Sequence, residues 1–567
     1  MSLPDRSAAP AGPIPSGMCR ADVISGFLVF LIAMPLCLAI ARASNFPPIA
    51  GIWTAVAGGL IASFISNSQL TIKGPAAGLI VIVAGAVTEF AAEFGQGLSE
   101  HDALFLGYRM ALGVGVVSGL IQILFGFVRA GKLGEFFSLS AIHGMLASIG
   151  IIIIAKQVFL VLGVDTPKDK GPLELLLEIP HAIQKANPEI AAIGLVSLLL
   201  LFGIPLIRNR YVRKIPVPML VLLLAIPLGM AFDLEHKHTY LVPHNFYDSD
   251  HPDQYEVGPR FLVDMPEVLK DPSTAFAFPI FTGLLSGVGI KYIILFSLIG
   301  SLESMLTAKA IDLMDPWKRK TNMNRDLLGV GIANTAVAFM GGLPMISEVV
   351  RSSANKNNGA RTRWANWWHA LFLLGFVLLL PNLIHRIPLA ALGAMLVYTG
   401  FRLASPREFV KTYQIGFEQL VIFLATIIST LLTDLLIGIA TGILVEICFL
   451  IIYRTPLRTL FRPDVESMLL DETTTLLIVK HAAVFSHWIS LKGRIEEFET
   501  KHVVVDMSQT HIVDHSTMKK MHALSMDFEI VGRSLTVRGL EMHIPVSDHP
   551  FAARTKKYTG NERVITI

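Results

Sequence analysis

Charged residues are scarce in this chain. Asp, Glu, Lys and Arg make up 16% of 567 residues, against 53% hydrophobic residues. A soluble globular chain carries about 25% charged residues, so this composition excludes an ordinary soluble fold. The net charge of +3 is too small to point to a nucleic-acid partner. Cysteine is nearly absent: Cys19, Cys37 and Cys448 lie far apart, which excludes a disulfide framework and a cysteine metal cluster. No nucleophile–base set or metal-ligand spacing is present, so neither an enzyme nor a bound cofactor is expected.

What the sequence has instead is apolar runs. Stretches of about 20 mostly apolar residues recur, each long enough to cross a hydrocarbon core of roughly 30 Å. About fourteen crossings are predicted, at 22–42, 47–65, 75–89, 104–128, 138–162, 190–207, 216–232, 286–310, 326–340, 344–355, 364–381, 387–402, 416–433 and 436–453. Val23–Ala41 lacks a cleavage site and reads as a retained helix. Residues 1–20, rich in Pro and Ala, read as a disordered tail, and 21–455 as the transmembrane domain.

The basic residues orient these crossings. Arg129 and Lys132 follow the fourth, and Arg208, Arg210, Arg213 and Lys214 the sixth. Lys318, Arg319 and Lys320 follow the eighth, and Lys356, Arg361 and Arg363 the tenth. Arg402, Arg407 and Lys411 follow the twelfth; Arg454, Arg458 and Arg462 the last. Each cluster follows an even-numbered crossing, so the positive-inside rule puts them all, with both termini, on the cytoplasmic face of the inner (plasma) membrane. The long segment 233–280, rich in Asp, Glu, His and Pro, then faces outward as a solvated cap.

Two stretches break the apolar pattern at membrane depth: Asn67–Ala86, where Lys73-Gly74-Pro75 precedes a run of small residues, and Gly341–Arg363, with Gly341-Gly342, Pro344, Glu348 and Arg351. Such backbone cannot lie against lipid, because its polar groups would go unsatisfied. Paired interruptions of this kind mark the binding site of a transporter built from broken helices. They fall in the third and tenth crossings, seven apart, which predicts two inverted seven-helix repeats. A helix N-terminus presents unpaired N–H groups and a positive dipole end, which attracts an anion without a fixed cation.

Glu303 is the lone acid in mid-span of the eighth crossing, where a carboxylate is costly and usually functional. Lys73 reads equally as a site charge or an interface residue. His143 and Lys156 read as residues satisfied within the bundle, and Trp364, Trp367 and Trp368 as an interfacial belt. Beyond Arg462 the composition changes. Thr473–Lys480, His502–Asp506 and Ser534–Arg538 read as strands, Ile489–Thr500 and Ser516–Phe528 as helices. This is a small α/β domain outside the membrane. Ser516 reads chiefly as an N-cap hydroxyl, with a phosphorylation switch as the regulatory alternative.

These residues carry a family likeness. Asn324-Arg325-Asp326-Leu327, Gly331, Asn334 and Gly341–Arg363 resemble the tenth-helix region of the sulfate permease (SulP) anion transporters, whose animal relatives include prestin and pendrin. Asp22, Gly26, Ala33-Met34-Pro35, Pro47-Pro48, Gly51 and Gly74-Pro75-Ala76-Ala77 resemble the first repeat of that family, and Gly300-Ser301-Leu302-Glu303-Ser304 its eighth helix. Residues 465–567 resemble the STAS domain that usually follows, with Asp506 and Asp514-His515-Ser516 at its diagnostic turn.

The resemblance implies a helical polytopic transporter with core and gate parts, an elevator-like motion, a homodimer and a cytoplasmic STAS-like domain. It places an inorganic anion, bicarbonate or sulfate first, between Pro75, Ala76, Ala77 and Gly78 of the third helix and Ser347, Glu348, Val349, Val350 and Arg351 of the tenth. It assigns coupling to H⁺ or Na⁺ to Glu303. Two positions depart from the family pattern: Leu36 where Gln is frequent, and Glu348 where a small residue is usual. Two alternatives stay open: a nucleobase permease of the same fold, and an uncoupled anion channel or exchanger run by the STAS-like domain. Arg351 speaks against the first and Glu303 against a simple channel.

Overall fold

The structure is a computed structural model that describes residues 19–131, 138–167, 170–207, 209, 216–242, 253–266, 268–433, 435–453 and 455–556. Lys132, Arg208, Arg210, Arg213, Lys214 and Arg454, most of the 1–20 tail and the end of the 465–567 domain lie outside the described residues. The chain divides into two compact units, Met1–Gly131 with Ile149–Leu403, and Lys132–Ser148 with Ala404–Ile567.

The first unit is helical and repeats one motif twice. Its first pass holds α1 (Arg20–Ala43), α2 (Pro48–Leu60), α3 (Ala62–Ile65), strand β1 (Ile72–Pro75), α4 (Ile80–Phe94) and α5 (Glu100–Phe127). Next come α6 (Leu139–Leu162), which straddles the two units, α7 (Pro172–Gln184), α8 (Pro188–Gly203) and α9 (Val217–Ala231). Within 233–280 lies the hairpin of β2 (His238–Val242) and β3 (Asp253–Val257). The second pass holds α10 (Gly287–Met314), α11 (Met323–Phe339), β4 (Met345–Glu348), α12 (Val349–Asn357), α13 (Trp364–Leu379), α14 (Pro381–His385) and α15 (Leu389–Leu403).

Local chemistry sets the helix starts. Pro48 opens α2 where its missing N–H has no partner to lose. Ser99, Ser286 and Asn322 accept backbone N–H groups at the starts of α5, α10 and α11. Small residues then let helices touch: a Cβ on Gly51 would lie 2.0 Å from the Cys37 carbonyl oxygen, so α1 and α2 meet backbone to backbone. Among the described residues, nine helical segments are long and apolar enough to cross a membrane, and α9, α13 and Phe417–Leu432 are shorter apolar helices.

The second unit continues through α16 (Pro406–Ile415), α17 (Phe417–Leu432), α18 (Leu435–Ile452) and α19 (Leu457–Phe461) into an α/β layer. Its strands are β5 (Asp464–Asp471), β6 (Thr474–Ala483), β7 (His502–Asp506), β8 (Thr510–Val513), β9 (Ser534–Arg538), β10 (His543–Pro545) and β11 (Arg554–Lys556). The sheet runs β10-β11-β8-β6-β7-β9, with β5 antiparallel on β6 and β6, β7, β8 and β9 in parallel pairings. Helices α20 (Trp488–Glu496) and α21 (His515–Ile530) bury Trp488, Leu491, Met521, Leu524 and Phe528 against Leu477, Val503 and Val505. The strands and helices expected from the sequence are therefore present, and β5, β8, β10 and β11 add to them.

Two expectations shift. The third crossing begins not at residue 75 but with a 3₁₀ turn at Ala77–Leu79 that runs into α4. The tenth begins at Val349 rather than 344, because Met345–Glu348 is extended. The helix α7, unanticipated, leaves Leu177 82% exposed.

Candidate functional site

The two interruptions find each other. β1 and β4 pair antiparallel, Ile72 opposite Glu348, Lys73 opposite Ser347, Gly74 opposite Ile346 and Pro75 opposite Met345. This small sheet satisfies backbone groups that neither lipid nor an adjacent helix would. Each strand leads directly into a helix, so the starts of α4 and α12 are brought to the same place. Side chains lock the sheet: Ser352 Oγ accepts the Ile72 N–H at 2.8 Å and Asn366 Oδ1 the Lys73 N–H at 3.2 Å. Asn355 Nδ2 donates to the Leu70 carbonyl at 2.9 Å.

A cavity of about 230 Å³ opens at these helix starts. Ala77, Glu348, Val350 and Arg351 line it from the two helix starts; Ile32, Leu36 and Ile40 of α1 and residues of α8, α9 and α15 complete it. Arg351 is 0% exposed. Its Nη1 reaches the Cys37 sulfur at 3.4 Å, while Nε and Nη2 have no partner. Among the described residues no carboxylate lies within ion-pair distance of it. A buried guanidinium left so bare is costly, and an anion in the cavity would neutralise it with charge-assisted hydrogen bonds. Gly74 makes room for it, since a Cβ there would sit 2.5 Å from Nη1.

Glu348 and Glu303 supply the acids. Glu348 Oε1 accepts the Ala77 N–H at 3.3 Å. Glu303, 7% exposed on α10, lies against the other helix start: a Cβ on Gly78 would come within 2.1 Å of its Oε1, an atom without a hydrogen-bond partner. Among the described residues no group of three His, Cys, Asp or Glu side chains could hold a metal ion.

Lys73 belongs to a separate, closed network. Its Nζ lies 2.6 Å from Asp326 Oδ1 and 2.5 Å from Ser347 Oγ, and Ser304 Oγ is 3.0 Å from Ser347 Oγ. Lys73 and Asp326 are both buried. The lysine is thus an interface charge already paired, which leaves Arg351 as the cation at the cavity's buried end.

The profile of the sulfate permease family matches residues 19–426. The chain belongs to the sulfate permease family. Among its relatives, the bicarbonate transporter BicA of Picosynechococcus sp. is 23% identical over 411 residues, 72% of this chain and 66% of that one. The solved transmembrane domain of a cyanobacterial BicA superposes with a TM-score of 0.59 at 22% identity, covering 74% of this chain and 97% of that one. The overall structure of SLC26A9 gives a TM-score of 0.63 at 13% identity over 92% of this chain and 84% of that one. The family members are transporters, not enzymes.

Within that family fold, the structure gathers Ala77, Glu348, Val350 and Arg351 on one cavity, with Gly78 and Glu303 in contact beside them. Pro75 is in β1, opposite Met345, and Ala76 joins that strand to the 3₁₀ turn. Ser347 faces Lys73, and Val349 is 46% exposed outside the cavity lining. Sequence reading missed Tyr398, Thr399 and Arg402, which α15 brings to the cavity; Arg402 had signalled only a basic cluster.

In the second unit Asp514, not Ser516, caps α21, accepting the Thr517 N–H at 2.6 Å. Ser516 is fully buried, and its Oγ accepts the Leu139 N–H at 3.3 Å, where α6 begins. Burial pushes the Asp514 carboxyl above the usual range, against the N–H groups of Thr517 and Phe485 that favour its charged form.

Proposed function

We propose that this chain is a secondary active transporter of a small inorganic anion, with sulfate or bicarbonate the substrate class. The observation that carries the reading is the buried, incompletely paired Arg351 guanidinium at the start of a helix that opens onto a cavity of about 230 Å³. Helix N–H groups and one guanidinium hold an anion without trapping it, which suits a carrier that must also release.

The anion binds at Ala77, Gly78 and Val350–Arg351, with Glu303 as the coupling group for H⁺ or Na⁺. Transport follows an elevator motion in which the part bearing α1, α4, α10 and α12 carries the site past the part bearing α15. The protein works as a homodimer in the inner membrane with both termini cytoplasmic, and its C-terminal α/β layer, a STAS-like domain over 465–567, regulates or assembles the transporter. Ser516 belongs to that regulatory part: its burial means that a kinase reaches it only after the layer opens.

Uptake of labelled sulfate, bicarbonate, chloride and uracil into proteoliposomes under imposed H⁺ or Na⁺ gradients tests the reading. Gradient-driven uptake of sulfate or bicarbonate is expected. Uptake of uracil alone would replace it with a nucleobase permease, and gradient-independent flux of all anions with a channel.

A further inference from the structure

Glu348 stands where a competitor for the anion would stand. By position it is the N-cap of α12, yet its side chain bonds none of that helix's N–H groups. Nor does it lie within ion-pair distance of Arg351, three residues on. Its carboxylate instead reaches across to the other repeat and accepts the Ala77 N–H at 3.3 Å, the first N–H of the turn that opens α4. It lines the same cavity as Ala77, Val350 and Arg351.

The groups that act on it come from every side. Arg351 on α12 and Arg402 on α15 attract it. Glu303 on α10 feels its negative charge, as does the Cys37 thiol on α1. Tyr398 on α15 lines the cavity beyond. A carboxylate is a planar oxyanion, so it satisfies the donors that sulfate or bicarbonate would use. It also repels a second anion: at about 4 Å and an effective dielectric near 20, the repulsion is strong enough to exclude it.

We propose that Glu348 is a tethered competitor for the transported anion, ionised when it occupies the helix starts and protonated when the anion does. This rests on the anion-transport reading above. Glu348 takes one proton from hydronium or a buffer acid and becomes a neutral carboxylic acid. It then loses its attraction for Arg351 and Arg402, and the Ala77 N–H and the guanidinium pass to the anion. One proton therefore enters the site with each anion, and deprotonation of Glu348 drives the anion out.

The test is calorimetric titration of the full-length protein with sulfate and with chloride at pH 5.5, 6.5 and 7.5. The wild type is compared with Glu348→Gln and Glu348→Ala, each checked for folding by size exclusion. Sulfate stays a dianion over this range, so any slope comes from the protein. Wild-type affinity should fall up to about tenfold per pH unit where Glu348 ionises, and heats in buffers of different ionisation enthalpy should report about one proton taken up per anion. Both variants should bind more tightly at pH 7.5 and lose the slope. Wild-type affinity without slope or proton uptake would overturn the proposal. So would variants that bind more weakly or keep the slope, and so would a slope that persists in both but vanishes in Glu303→Gln. All of these outcomes leave anion binding itself intact. Folded proteins of which none binds either anion would instead overturn the anion-transport reading, and this proposal with it.

Discussion

The pair Lys73–Asp326 offers a perturbation whose size follows from the structure. Its charges are 2.6 Å apart and both side chains are buried. At an effective dielectric near 20 the attraction is roughly 6 kcal/mol, largely offset by the desolvation of two ions. Removing one partner keeps the desolvation cost and discards the attraction. Lys73→Met would leave the Asp326 carboxylate with only the Ser66 hydroxyl, and Asp326→Asn would leave the ammonium with only Ser347 and a neutral amide. Each single variant should lose about 3–5 kcal/mol, seen as a lowered thermal midpoint or as misfolded protein in fluorescence-detected size exclusion. The double variant Lys73→Met/Asp326→Leu should recover most of that loss and still bind sulfate, because the pair is electrically closed and Arg351 remains. A double variant as unstable as the two single losses added together would refute the coupling. A stable double variant without sulfate affinity would return Lys73 to the site.

Three further outcomes are expected. Val350→Glu puts a fixed negative charge on the cavity wall; at ~4 Å and an effective dielectric near 20 this is roughly 4 kcal/mol of repulsion, about a thousandfold in affinity, and unchanged calorimetric affinity would place the site elsewhere. Glu303→Gln mimics the protonated acid, so in proteoliposomes it should still exchange anion and keep the proton carried on Glu348, but lose the share of gradient-driven accumulation that Glu303 adds; accumulation equal to wild type under both H⁺ and Na⁺ gradients would remove Glu303 from coupling. In the C-terminal α/β layer, burial holds the His487 and His515 imidazoles down to about 4 from an ordinary 6.5. Their neutral form is the folded form, so the layer's stability is complete above pH 6.5 and lost as pH falls toward 4, by roughly 3 kcal/mol for each. Hydrogen exchange over Thr474–Ile530 should accelerate across that window, and a flat profile would contradict the burial argument.

The sequence by itself determined the class and the outline. Apolar runs of spanning length, separated by polar turns, have few physical solutions, because a lipid-exposed backbone must satisfy its own hydrogen bonds. The helices accordingly fall close to the expected crossings. The alternation of β-branched runs with helices beyond Arg462 likewise leads to the sheet of β6, β7 and β9. The interruptions at Lys73-Gly74-Pro75 and Gly341–Arg363 also announced themselves, since Gly, Pro and charge at membrane depth have no bland explanation.

What only the tertiary structure decided is how those interruptions resolve. Periodicity cannot tell a four-residue strand from a helix start, so the pairing of β1 with β4 emerges only when residues about 270 positions apart meet. The roles of the charges follow from that meeting. Lys73, Glu303, Glu348 and Arg351 all look alike in sequence as costly intramembrane charges. Packing closes Lys73 on Asp326, sets Glu303 against Gly78, leaves Arg351 incompletely paired, and turns Glu348 away from its own helix toward Ala77. Arg402 reads from sequence as one more cytoplasmic cation, and only the placement of α15 makes it a wall of the cavity. Charge is legible in a sequence; which charges remain unpaired depends on distances of a few ångströms that only the folded chain fixes.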